Sequence, residues 1–69
     1  MINDENIPRI KDLIIKLNQV ARERKEAIDN LWILATQNEP EQFKSCVDKL
    51  WELEDTGEHL RHELMFLLD

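Results

Sequence analysis

After Pro8 the chain meets only one more proline, Pro40, and a single glycine, Gly57, in its 69 residues. Pro40 is the strongest constraint on the fold. Its ring disfavours helical geometry at Glu39 and cannot extend a helix arriving from the N-terminal side. Any helix in the first half must therefore stop at Gln37-Asn38-Glu39 and any second one must start afresh. Asn38 followed three residues later by Glu41 predicts a capping box for that second helix, with Glu41 placed favourably for its dipole.

On both sides of the break the apolar residues recur with helical period. In the first half they are Ile10, Leu13, Ile14, Leu17, Val20, Ala21, Ala27, Ile28, Leu31, Leu34 and Ala35. In the second half the stripe is Phe43, Cys46, Val47, Leu50, Leu53, Leu60, Leu64, Leu67 and Leu68. Spacings of three, four and seven over several heptads specify one buried face on each helix. Pro8 suits a first turn and Asn6 a cap, so the helices are predicted from about residue 8 to 37 and about 40 to 68, with the turn at about 37–40.

Two helices, each about 45 Å long at 1.5 Å per residue, joined by so short a turn must lie antiparallel. The expected fold is all-α, an antiparallel two-helix hairpin of coiled-coil type, occupying residues 1–69 as a single domain and able to complete a bundle with a partner. Folding about residue 38 sets Leu31 near Val47, Leu17 near Leu60 and Leu13 near Leu64. Arg24 then falls near Leu53 and Glu54, predicting an Arg24–Glu54 pair. Gly57 falls near Val20 and Ala21, where it either lets the backbones approach closely or kinks the helix.

Charge narrows the class of partner. Residues 1–37 hold six basic and six acidic side chains, while residues 38–69 hold three basic and nine acidic, so the whole net charge of −6 lies in the second half. No Lys/Arg stripe is present to displace counterions from a phosphate backbone, and the acidity opposes anionic lipid, so neither nucleic acid nor membrane is an expected partner. The stretch Met1 to Glu5 lacks the apolar core of a secretory leader, and the lone Cys46 cannot make an internal disulfide. A reducing cytoplasm is the expected compartment.

Little chemistry is on offer. His59 and His62 stand three apart, flanked by Glu58 and Glu63, but one helix face seldom converges the three or four ligands that a metal needs. They are read as solvated surface. Cys46 lies on the predicted seam among acids, which suits a small buried hydrophobe better than a reactive thiolate. The acids Glu52, Glu54, Asp55, Glu58 and Glu63 read first as a solvated face, and second as a mimic of a phosphate backbone in an inhibitor of a nucleic-acid-binding protein. No cofactor, metal or catalytic residue is expected, and the chain is read as a non-enzyme.

Apolar residues left over point to association instead. Ile15 and Ile33 share a line on the outer face of the first helix, Trp32 edges the seam, Trp51 and Phe66 point away from the second stripe, and Met65 sits at its margin. Isolated scaffolds of this size usually need a disulfide, a metal or a second chain, and Trp is enriched where proteins meet. These six residues are the predicted partner interface. A homodimeric four-helix bundle is one way to cover them, and a different protein is another.

A chain of this length, two antiparallel helices and a turn carrying Pro40-Glu41-Gln42-Phe43 resembles the YscE-type co-chaperones of type III secretion needles (the PscE, SsaE and EscE group). The likeness covers about residues 7–68. It implies a cytoplasmic, non-enzymatic co-chaperone paired with a larger tetratricopeptide-like chaperone and, through it, with a needle subunit kept soluble and unpolymerised. Pro40, Glu41, Gln42 and Phe43 are the positions that carry over, and Phe43 is expected to lock the turn end of the hairpin.

Overall fold

A computed structural model describes residues 2–68 as one 3-10 turn, Asp4–Asn6, followed by two helices, α1 (Ile7–Gln37) and α2 (Pro40–Leu68), packed against each other. The rod measures 51 × 14 × 12 Å between Cα atoms. The all-α hairpin expected from the sequence is the fold, with both helix ends within a residue of their expected positions.

The ends are closed differently from the expectation. Asn6 precedes α1 but its side chain makes no capping bond. Asn3 does that work one turn earlier, its Oδ1 accepting from Glu5 N–H at 3.1 Å. At the turn, Asn38 does not open α2; it closes α1. Its backbone is left-handed, at φ 56° and ψ 53°. From there the Asn38 N–H bonds to Ala35 O at 3.4 Å and the Glu39 N–H to Leu34 O at 3.3 Å. This is a Schellman closure, which satisfies carbonyls that the end of a helix leaves open. The competing use of Asn38 won because asparagine tolerates left-handed geometry better than any other residue available in the turn. Pro40 then begins α2, whose first bond runs from Phe43 N–H to Glu39 O at 2.9 Å.

Substitutions at Asn38 should sort by tolerance of that conformation. Asn38→Gly is expected to be neutral or slightly stabilising, and Asn38→Val to cost about 1–2 kcal/mol. Urea unfolding of the two variants checks the order, and equal midpoints would remove the left-handed closure as the reason for asparagine here.

The seam is a strict heptad pair. In α1 it runs Ile10, Leu13, Leu17, Val20, Arg24, Ala27, Leu31, Leu34; in α2 it runs Phe43, Cys46, Leu50, Leu53, Gly57, Leu60, Leu64, Leu67. All of these are buried or half-buried except Arg24 and Phe43. Leu13 is wholly excluded from solvent, with Ala27 and Leu53 nearly so. Alternating steps of three and four are the a and d positions of a two-stranded coiled coil. Gly57 is buried in an unbroken helix, and a Cβ built on it would lie 3.4 Å from Val20 Cγ1. The helix thus runs on through Gly57 without a break, and Gly57 faces Val20 across the seam.

Candidate functional site

With one neighbour, each helix can bury only its a and d positions. The e positions, next around the helix, therefore stay exposed along α1. They are Ile7, Ile14, Ala21, Ile28 and Ala35, an apolar residue every seven positions. In α2 they are Val47 and Leu68, which are half-buried, and Glu54 and Arg61, which are exposed. Antiparallel coiled coils bring e beside e and g beside g, so these nine residues share one flank of the rod.

Two ion pairs mark the two flanks. Arg24 Nε donates to Glu54 Oε1 at 2.6 Å on the e side, the pair expected from the sequence. On the g side Arg9 Nε donates to Glu63 Oε1 at 2.9 Å, and Arg9 Nη1 reaches Asp12 Oδ2 at 3.1 Å, with Lys16 Nζ on the same carboxylate at 3.1 Å. The hydrogen bond to Glu63 raises the Arg9 pKa above its ordinary value, and the charges of Glu63 and Asp12 add to this against some desolvation. A raised arginine pKa contributes fully at neutral pH and is lost only in strongly alkaline solution, so it gives the fold no pH dependence near neutrality.

The six residues expected to meet a partner are all exposed, and the structure divides them. Trp32, Trp51 and Met65 occupy b positions, beside the e flank, so they widen its apolar surface, Trp32 and Trp51 near Ile28 and Met65 near Ile14, with Lys25, Glu54, Glu58 and Arg61 between the two patches. Ile33 and Phe66 occupy c positions on the opposite side, and Ile15 lies at the back of α1. Trp32 does not edge the seam as expected: it is 76% exposed, because position b points beyond the e residue that borders the partner helix. Trp51 is 68% and Phe66 80% exposed.

The e flank is also dented at mid-length. Leu17, Val20, Ala21, Leu53 and Gly57 floor a shallow groove of about 340 Å³, rimmed by Arg24, Glu54 and Arg61. The missing side chain at Gly57 helps to open it. At the turn end Phe43, with Leu34, Ala35 and Pro40, surrounds a smaller hollow of about 240 Å³. Glu41 and Gln42 of the turn motif are exposed beside it.

Other candidate groups fall apart on inspection of geometry. His59 Nδ1 lies 3.0 Å from Asp55 O, and 3.7 Å from its carboxylate; His62 Nε2 lies 3.9 Å from Glu58 Oε1. These are separate exposed pairs, one turn apart on α2. No three of His, Cys, Asp and Glu among the described residues converge as metal ligands would. Cys46 is half-buried, its Sγ donating to Ala27 O at 3.3 Å, the environment of a packed thiol. Among the described residues neither helix is long and apolar enough to cross a membrane.

Set against family models, curated proteins and solved structures, the chain matches none of them.

Proposed function

We propose that this chain is a small, non-enzymatic co-chaperone of the cytoplasm that pairs with a larger helical-repeat chaperone and so keeps a type III secretion needle subunit soluble. The observation that carries the reading is the apolar surface of Ile14, Ile28, Trp32, Trp51 and Met65, which the hairpin cannot cover by itself. The Pro40-Glu41-Gln42-Phe43 turn between two antiparallel helices supports the choice of family. In this reading the mechanism is helix-on-helix packing, with affinity concentrated in the two tryptophans and charge setting orientation and rate of encounter.

Co-expression with a tetratricopeptide-like needle chaperone tests it. The soluble yield of the larger protein is expected to rise, and Trp32→Ala with Trp51→Ala to abolish the gain while leaving the hairpin helical. An unchanged yield with the unaltered chain overturns the proposal.

A further inference from the structure

The hairpin leaves apolar surface exposed near both ends of its e flank. We propose that, without another protein, two copies of this chain pack face to face through that flank, with both turns at the same end and α1 of each copy lying on α2 of the other. This rests on the reading of that flank as an interface, and it names what occupies the flank when no other protein does.

Three observations select a second copy and its orientation. First, apart from Arg24, α1 is apolar at a, d and e, three positions in each heptad. That is the pattern of a helix in a bundle, where a two-stranded coil needs only a and d. Second, a flank running the 51 Å length of the rod, whose other extents are 14 and 12 Å between Cα atoms, has room for the ~800 Å² of accessible surface that each partner of a stable interface loses.

Third, the charges are self-complementary in one arrangement only. On the facing e and b positions α1 carries Lys11 and Lys25 and no acid, with Arg24 at the seam, while the middle of α2 carries Glu54 and Glu58 beside Arg61. Within one hairpin only Arg24 and Glu54 among these pair across the seam. Same-end stacking brings Lys25 of each copy to the level of Glu54 in the other. It also sets apolar on apolar towards the ends, Ile28 by Val47 and Ile7 by Leu68. Opposite-end stacking would place α1 on α1 and α2 on α2, setting Lys25 towards Lys25 and Glu54 towards Glu54. Apolar contact thus supplies the affinity, and charge chooses the orientation.

Sedimentation equilibrium on the full chain should give twice its 8.3 kDa mass. Trp51→Asp should weaken the dimer by at least roughly tenfold with helicity retained; if that variant loses helicity, Met65→Asp on the same face takes its place. A nitroxide at Glu41→Cys, with Cys46→Ala, reads the orientation by electron–electron distance. A separation well below the 51 Å rod length is expected, since both turns share an end. A separation near the rod length overturns the arrangement, and a monomer at every concentration overturns the dimer. A monomer that still solubilises the larger chaperone defeats this inference and leaves the co-chaperone reading standing. A dimer that recovers no such partner does the reverse.

Discussion

Leu13→Ala is expected to lower the unfolding free energy by about 3 kcal/mol, within the 2–5 kcal/mol range for emptying a fully packed leucine site. Among the described residues Leu13 is the one large side chain with no exposure at all. A domain this small rarely holds more than ~3–5 kcal/mol in total, so the variant should keep only ~0–2 kcal/mol and be partly unfolded near room temperature. Urea titration followed by far-ultraviolet circular dichroism measures it, with Ile15→Ala as the control on the exposed back of α1, expected within about 0.5 kcal/mol of the parent. Leu13 lies far from the turn, at the level of Leu64, where the free ends of the helices meet. A loss under ~1 kcal/mol would mean that these ends already part in solution and that the turn half alone carries the stability.

Leu13, Leu64 and the Arg24–Glu54 pair were all legible in the sequence for one reason. A proline fixes where the chain reverses, the heptads fix which residues face inward, and antiparallel folding then makes the residues of each pair sum to a nearly constant number. Arg9–Glu63 departs from that rule, summing to 72 against 78 for Arg24–Glu54, and both residues lie outside the stripe, at g positions, where composition offers several equivalent partners. Lys16 and Lys49 are also at g, and only the three-dimensional register decides among them.

Two other readings failed for physical reasons. The capping box at Asn38 and the Schellman closure compete for the same residue, and local sequence contains both signals; the left-handed backbone shows which one the chain uses. The stripe of α1 merged two surfaces that a period of 3.6 residues cannot separate. Ile14 and Ile28 keep helical phase with Leu13 and Leu31, so all read as core. A hairpin offers one neighbour, which covers a and d and leaves e of α1 in solvent. The signal that finds the e flank is its own spacing of seven from Ile7 to Ala35, and it marks the place where the hairpin is incomplete.

Gly57 is the position where local preference and packing pull in opposite directions, and its variants should divide accordingly. A glycine inside a helix costs ~1 kcal/mol relative to alanine, so Gly57→Ala gains that much before packing is counted. Its new Cβ would meet Val20 Cγ1 at 3.4 Å, the tight edge of ordinary contact, and a small shift of one valine relieves it. The net expectation is a gain of ~0.5–1 kcal/mol. Gly57→Ile should reverse the sign. Its branches leave Cβ in two directions, and only one can turn into the adjoining groove, so the other drives into Val20 and forces the helices apart. Overpacking of this kind costs ~1–3 kcal/mol, and the expected net loss is about 2 kcal/mol. Thermal melts of the three proteins at equal concentration measure the order Ala above Gly above Ile. If alanine stabilises, the hairpin does not need glycine for its own stability, and the groove that Gly57 helps to open must matter for what lies across it. If alanine and isoleucine both destabilise, the contact with Val20 is rigid and glycine is there to set the distance between α1 and α2.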